Sequence, residues 1–149
     1  KGLVTLQGIL APRAGVGITL TPVSGVTRTT SSIDALDINY GFTGVETLTY
    51  TFTTNQARYL NLTAASGKTF LVDRDLNLTD LRLYGGDVDQ NNEIQVNDAS
   101  LVGQNWGSTT DPEANINYDG IVNIQDLALV GGNFGMISAT AYAWWSPLP

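Results

Sequence analysis

Two stretches of the chain carry oxygen-bearing side chains at the same spacing. Counted from the first residue of each stretch, these side chains fall at positions 1, 3, 5, 9 and 12. The stretches run from Asp87 to Asp98 and from Asn115 to Asp126. Ca²⁺ is a hard cation that takes about six to eight oxygen ligands, and a short loop with this spacing can wrap around it. The repeated pattern therefore predicts two calcium-binding loops.

Each loop must turn sharply at position 6, which requires a residue that tolerates a positive φ. Gly120 occupies this position in the second loop and Asn92 in the first, and both residue types accept such a conformation. The repeat also extends past the loops, since a Leu-Val-Gly segment and then an Asn-aromatic-Gly segment follow each of them. The duplication in register favours a metal site over an ordinary turn-rich connection.

The composition removes most catalytic chemistry. Cysteine and histidine are both absent, which excludes disulfides, thiolate zinc sites and imidazole general bases. Only carboxylates remain, and a glycosidase-like pair of acids is conceivable. However, the densest group of acids already lies in the predicted metal loops, so we expect no enzymatic activity.

The charge is divided unevenly along the chain. The net charge is −7, all seven Lys and Arg residues precede Gly85, and eight acids follow it. Two calcium ions would cancel half of that uncompensated charge, and nucleic acid or an anionic membrane is a poor partner for such a chain. We therefore expect one module at residues 1–84 and a second at residues 85–149.

The first module has the alternation that is typical of half-buried antiparallel strands. Apolar residues at every second position are Val16, Ile18 and Leu20; Leu36, Ile38 and Tyr40; and Leu48, Tyr50 and Phe52. Further short strands are predicted at Leu3–Leu10, Tyr59–Ala64 and Thr69–Asp73, with a bulge at Thr79-Asp80. About seven strands at this spacing predict a two-sheet β-sandwich.

Two short segments carry a family resemblance for this module. The opening Val4-Thr5-Leu6-Gln7-Gly8 strand, and Thr49-Tyr50-Thr51-Phe52 leading to Tyr59-Leu60, resemble the carboxypeptidase-regulatory-like, X-module-type sandwiches of extracellular bacterial proteins. That family often has glycine where this chain has Arg58, and it usually lacks catalytic residues. The resemblance implies an extracellular location.

The second module departs from an EF-hand in two ways. A strand-like segment, Leu81–Tyr84, leads directly to Gly85-Gly86, so no helix precedes the first loop, and position 12 is Asp where an EF-hand has Glu. A loop plus an exiting helix, present twice with Asp at position 12, resembles dockerin modules of the type I kind. The resemblance implies a small α-helical module with helices at about Asn97–Asn105 and Gln125–Asn133.

The resemblance also implies a ligand set for each calcium ion. In the first loop the ligands are the side chains of Asp87, Asp89, Asn91 and Asp98, the Glu93 carbonyl, and the Gln95 side chain or a water. In the second they are Asn115, Asn117, Asp119 and Asp126, the Ile121 carbonyl, and Asn123. Because the first loop has three carboxylates and the second has two, we expect tighter binding in the first. Ile94 and Val122, at position 8, are expected to pair in a short two-stranded bridge.

Dockerins bind cohesin modules, and the corresponding surface of this chain has an unusual composition. The implied partner-binding residues are Val96, Asn97, Gly103, Gln104, Ile124, Gln125, Gly131 and Gly132. Where dockerins commonly have a Ser-Thr type pair and basic residues, this chain has Val96-Asn97, Ile124-Gln125 and glycines. The specificity code of the clostridial modules therefore does not transfer.

The apolar tail predicts a contact between the two modules. Some dockerins join their ends through an intramolecular clasp, and Tyr84, Trp144, Trp145 and Pro147 supply rings for one here. We expect the tail to fold back over the seam between the modules.

These observations favour a monomeric, calcium-dependent attachment unit that binds a cohesin and anchors a larger extracellular protein to a scaffold or cell surface. The alternative is a structural surface domain that calcium stabilises and that has no cohesin partner. Cohesin-like modules elsewhere in the same proteome, and binding to them with and without EDTA, distinguish the two hypotheses.

Overall fold

A computed structural model describes residues 1–9, 15–31, 39–110 and 113–149 of the chain. The strands are β1 (Gly2–Leu6), β2 (Gly17–Pro22), β3 (Arg28–Ser31), β4 (Asn39–Tyr40), β5 (Leu48–Asn55), β6 (Arg58–Tyr59), β7 (Lys68–Val72), β8 (Leu81–Leu83) and β9 (Gly85–Asp87). The helices are α1 (Val96–Gln104), α2 (Ile124–Gly132) and α3 (Ser138–Ala141). The fold is thus mainly β with short helices, as a β-sandwich requires.

The strands form three hydrogen-bonded groups. A four-stranded sheet has the order β3-β2-β5-β7, a three-stranded sheet has the order β4-β1-β8, and β6 pairs with β9. Alternation positions the side chains of the larger sheet, because Tyr50 and Phe52 of β5 are buried while the intervening threonines are half-exposed. Leu36 and Ile38, which belong to a predicted alternating segment, lie outside the described residues.

One pairing differs from the antiparallel arrangement predicted from the sequence. β1 and β8 run parallel, with Val4 opposite Leu81 and Leu6 opposite Leu83. A parallel pair needs a long crossover connection, and here most of the sandwich lies between the two strands. The alternating pattern indicates which residues are buried but carries no information about strand direction.

Several predicted strand limits were wrong for local reasons. β1 ends at Leu6, because Gly8 turns the chain with a φ of 74°; Leu10, the predicted end of this strand, lies outside the described residues. The segment after Tyr59 is held by single bonds, including Leu60 N–H to the Tyr84 carbonyl (2.9 Å), so the strand stops there. No bulge forms at Thr79-Asp80, since β8 begins only at Leu81 and Thr79 N–H donates to the Pro147 carbonyl (3.0 Å). β7 begins and ends one residue earlier than predicted.

One apolar core extends from the sandwich into the loop-helix repeats. Its sandwich members include Ile18, Phe52 and Leu83, and its members from the repeats include Ile116 and Val130. At the junction, Gln7 Oε1 accepts hydrogen bonds from Gly85 N–H and from the Asn133 side-chain amide. In the described residues, no helix is long and apolar enough to cross a bilayer.

The tail folds back onto the sandwich, as predicted, although its contacts differ in detail. Tyr142, which was not among the predicted clasp residues, stacks on Tyr84 with ring centroids 5.6 Å apart and donates a hydrogen bond to the Leu60 carbonyl (2.6 Å). The Trp145 ring centroid lies 5.2 Å from that of Phe52, and its Nε1–H donates to the Asp80 carbonyl (3.1 Å).

Two clasp residues behave differently from one another. Pro147 is buried and its carbonyl accepts the Thr79 N–H bond. Trp144 has 59% of its surface exposed, so its predicted place in the clasp was wrong. Trp144 directly precedes Trp145 in the chain, and of these two adjacent rings only that of Trp145 is buried.

The adjacent tryptophans provide a matched pair of substitutions. We expect Trp145→Ala to lower the free energy of unfolding by about 3–5 kcal/mol, because it empties a buried ring site against Phe52. Trp144→Ala should change it by less than about 0.5 kcal/mol, as for most exposed positions. Urea denaturation followed by circular dichroism measures the free energy of unfolding of both variants. Equal losses in the two variants would contradict the packing of Trp145 against the sandwich.

Candidate metal centres and partner surface

The backbones of the two loops bend at equivalent positions. Position 6 has positive φ in both, 68° at Asn92 and 94° at Gly120, which confirms the predicted turn. Position 4 also has positive φ, 58° at Gln90 and 61° at Tyr118, which the sequence analysis missed. Neither Gln nor Tyr favours this conformation, so composition carried no signal for it.

The carboxylate at position 12 closes each loop through the same three backbone amides. Asp98 Oδ1 accepts from N–H at positions 2 and 3 (2.7 and 3.2 Å), and its Oδ2 accepts from position 9 (2.8 Å). Asp126 makes the equivalent bonds at 2.6, 3.2 and 2.9 Å. Both carboxylates are wholly buried, and each lies in the first turn of the helix that follows. A negative charge there is favourable because the helix N-terminus is partly positive.

The oxygens at positions 3 and 5 repeat as well. In the first loop Asp89 accepts the Asn91 N–H (3.2 Å) and Asn91 Oδ1 accepts the Glu93 N–H (2.8 Å). In the second, Asn117 accepts the Asp119 N–H and Asp119 accepts the Ile121 N–H, both at 3.0 Å. These bonds curl each loop so that its oxygens converge.

One side-chain oxygen at position 1 of each loop lacks a hydrogen-bond partner among the described residues. Asp87 Oδ1 and Asn115 Oδ1 are both buried, and neither has a hydrogen-bond partner among the residues that the structure describes. Leaving a buried polar atom unpaired costs about 1–3 kcal/mol, so such atoms are rare and require an explanation. In the first loop, Asp87, Asp89 and Asp98 can bring one oxygen each to within 4.8 Å of one another. A cation held there would satisfy the unpaired oxygen, and an all-oxygen donor set suits Ca²⁺.

The remaining predicted ligands lie around the same loops. Gln95 and Asn123 are the N-cap residues of α1 and α2, and the backbone of each donates to the position-12 carboxylate. In the second loop the side-chain amides of Asn117 and Asn123 both donate to Asp119 Oδ2 (3.2 Å each). Glu93 and Ile121, the predicted carbonyl donors, are exposed.

The predicted bridge between Ile94 and Val122 was wrong. Ile94 pairs with the segment that follows α2, donating to the Met136 carbonyl (2.9 Å) and accepting from Gly135 N–H (2.8 Å). Val122 pairs in the same way with Gly107 and Ser108, which follow α1 (2.8 and 2.9 Å). Both aliphatic side chains are wholly buried in the core, and each repeat is completed by the end of the other one.

The helices lie where the sequence predicts them, each shifted one residue toward the N-terminus. All eight predicted partner-binding residues are exposed: Val96, Asn97, Gly103, Gln104, Ile124, Gln125, Gly131 and Gly132. Two aromatic side chains that the analysis did not assign to this surface, Trp106 and Phe134, are 52% and 59% exposed at equivalent positions after the helices. The repeated Asn-aromatic-Gly segment was the signal for them.

The fold is shared with solved structures from a bacterial assembly. One is a chain from a C-terminal interface mutant of a type II cohesin–X–dockerin complex of Acetivibrio cellulolyticus, with a TM-score of 0.66 and 21% identity over 93% of this chain and 96% of that chain. Another comes from the N-terminal interface mutant of that complex, with a TM-score of 0.65 and 20% identity over the same shares. The chain has the fold of a component of these complexes. No protein-family model and no curated protein matches it.

Burial raises the pKa of Asp87 from its ordinary value of 3.8 to about 6. A hydrogen bond from Asn92 N–H opposes this shift, whereas the negative charges of Asp98 and Asp89 reinforce it. Between pH 3.8 and about 6, the metal-free folded state therefore holds a proton that the unfolded chain has released. A raised acid pKa in the folded state means that stability falls as pH rises through this window. Above about pH 6 the stabilisation that the Asp87 proton provides is completely lost.

We therefore expect a metal-free sample in EDTA to have a higher melting temperature at about pH 5 than at about pH 7, through the Asp87 carboxylate. Asp87→Asn should flatten this difference, whereas Asp75→Asn, at an exposed position of the sandwich, should retain it. Differential scanning calorimetry across the pH range measures the slope. An unchanged slope in Asp87→Asn would contradict the assignment.

Proposed function

We propose that the chain is a non-catalytic attachment unit that binds two calcium ions and, in that state, binds a cohesin module. The proposal rests above all on one buried oxygen at position 1 of each loop, Asp87 Oδ1 and Asn115 Oδ1, for which the described residues offer no hydrogen-bond partner. Two unrelated turns would not share the same closing bonds and the same unsatisfied atom. The shared feature is what a common cation ligand set produces.

Calcium in these loops would act as a structural ion. The predicted ligands hold it at the start of α1 and α2, where it offsets the repulsion among acids that no basic residue balances beyond Gly85. Because the position-12 carboxylate both closes the loop and lies in the first turn of the helix, an ion on its loop also fixes the helix orientation. The partner surface on those helices would then depend on calcium.

The glycines on the two helices support a closely apposed partner. Gly103, Gly131 and Gly132 lie in helices, where glycine costs about 0.5–1 kcal/mol relative to alanine. A Cβ added at any of them would meet no atom within 4 Å in the described structure, so internal packing does not require glycine there. A partner whose surface reaches the helix backbone does require it.

The partner chemistry follows from the same surface. The eight predicted contact residues carry no charge, and the exposed apolar side chains Val96 and Ile124 stand at the starts of the helices. An uncharged, flat and partly apolar cohesin face fits this surface. The fold likeness to a type II cohesin–X–dockerin complex makes a type II cohesin the first partner to test, followed by type I modules. The sandwich would then be the X-type module, and the larger protein to which this chain belongs would be extracellular.

The calcium part of the proposal has a direct test. Isothermal titration calorimetry of the full chain should show two bound ions per chain, and calcium at about a hundredfold over Kd should raise the free energy of unfolding by about 2.7 kcal/mol per site. Asp119→Ala should remove one ion, whereas Asp75→Ala, at an exposed position of the sandwich, should remove none. Binding of no calcium would refute the proposed function.

The partner part is tested by substitutions with effects of opposite sign. Gly103→Ala and Gly131→Ala should each stabilise the free chain by about 0.5–1 kcal/mol and should weaken binding to an immobilised cohesin, because the added methyl groups block close approach. Gly41→Ala, in a sandwich loop where a Cβ meets only an ordinary contact at 3.9 Å, is the control. EDTA should abolish binding of the unsubstituted chain to the immobilised cohesin.

The test also decides the alternative. If the chain binds two calcium ions but neither type II nor type I cohesins, and the glycine variants change stability alone, the calcium loops serve a structural surface domain.

A further inference from the structure

The sandwich reaches the second calcium loop through one short segment, residues 56–59. Tyr118, at position 4 of that loop, lies against this segment, where its hydroxyl is 3.4 Å from both Gln56 Nε2 and the Ala57 carbonyl. Tyr59 Oη donates to the carbonyl of Ile116, at position 2, over 3.3 Å. Positions 2 and 4 of the second loop are therefore in contact with the sandwich.

Arg58 is the member of this segment that reaches position 1. Its guanidinium donates from Nη1 to the Asn115 carbonyl (3.4 Å) and lies 4.2 Å from the centroid of the Tyr118 ring. The residue is only 9% exposed, and its Nε has no hydrogen-bond partner among the described residues. Its φ is 68°, a conformation in which glycine is favoured. A buried arginine in a strained backbone is costly, so its side chain must do something that glycine could not.

The same residue touches the first loop through its backbone. Arg58 pairs with Asp87, position 1 of the first loop, in the β6–β9 ladder. Arg58 thus contacts position 1 of both loops, by main chain in one and by side chain in the other. The side-chain contact falls on the loop with the weaker ligand set, where position 1 is the neutral Asn115 and only two carboxylates are present.

We propose that Arg58 is a positioning residue for the second calcium loop, and that through it the sandwich strengthens calcium binding at that site. This inference rests on the proposed calcium binding. By holding the Asn115 peptide and the left-handed Tyr118, the guanidinium fixes the direction of Asn115 Oδ1, the unpartnered oxygen. Groups that do not bind the metal but orient its ligands typically change metal affinity by about 10–100-fold.

The positive charge of Arg58 acts in the opposite direction, because it repels Ca²⁺. Two groups reduce that repulsion: the Asn115 carbonyl turns the negative end of its dipole toward the guanidinium, and the Tyr118 ring presents its negative π face. We expect positioning to have the larger effect. The two effects are separable, because salt screens charge repulsion and leaves the orientation of a ligand unchanged.

The experiment measures each loop in isolation by calorimetric titration with calcium. An Asp89→Ala background disables the first loop and reports on the second, and an Asp119→Ala background does the reverse. In the first background, Arg58→Gln, which removes the guanidinium and retains an unbranched polar side chain, should weaken binding by about tenfold. Arg58→Lys, which keeps the charge without the planar fork, should also weaken it. Arg82→Gln makes the same charge change at an exposed position and should leave the affinity unchanged.

Three outcomes would overturn the inference. The first is a calcium affinity of the second loop that is unchanged or higher in Arg58→Gln, and the second is an affinity in Arg58→Lys equal to that of the unsubstituted chain. The third is an effect of Arg58→Gln that disappears in high salt. An equal loss in the Asp119→Ala background would mean a general structural role. If Arg58→Gln fails to fold, Tyr118→Leu removes the ring beneath the guanidinium with no change of charge and should weaken the second site alone. If the parent chain binds no calcium, the proposed function itself fails, which distinguishes the two results.

Discussion

The C-terminal half of the chain depends on two carboxylates that are removed from water. Asp98 and Asp126 each draw three backbone amides around one side chain, and each lies in the first turn of the helix that leaves the loop. A buried carboxylate is tolerated when hydrogen bonds surround it, and these bonds determine the path of the loop. Because these bonds close each loop, the other side-chain oxygens converge, and Asp87 Oδ1 and Asn115 Oδ1 are left without a hydrogen-bond partner among the described residues.

The sandwich supplies the support that such small repeats lack. Two helices of nine residues each cannot enclose much apolar surface, and short helices gain most of their stability from packing. Here the core continues from Phe52 and Leu83 into Ile116 and Val130, and Trp145 extends it from the tail. The loops therefore pack against a surface that the sandwich supplies, which explains why Gln7 and Arg58, both distant in sequence, contact them.

Local chemistry made some of these features predictable and left others out of reach. The positive φ at Asn92 and Gly120 follows from residue type, and the helix positions follow, to within one residue, from the resemblance to dockerin modules. The partners of Ile94 and Val122 do not, because a buried aliphatic residue can pair with any nearby strand-like segment. Two further features depend on tertiary contacts that no local sequence pattern indicates. They are the parallel alignment of β1 with β8 and the contact of Arg58 with Asn115. Arg58 had one indirect signal in the sequence, because the family that the first module resembles often has glycine at this position. The positive φ of Arg58 is a conformation that glycine favours.

The cross-pairing of the repeats has a consequence for how such a module could arise. Ile94 bonds to the segment after the second helix, and Val122 to the segment after the first, so neither unit closes upon itself. A single loop and helix, produced as a separate peptide, would present an open main-chain edge at each end. A second copy of the same peptide would complete both edges. The duplicated chain thus has the geometry of a two-fold homodimer whose partners have been joined by a linker.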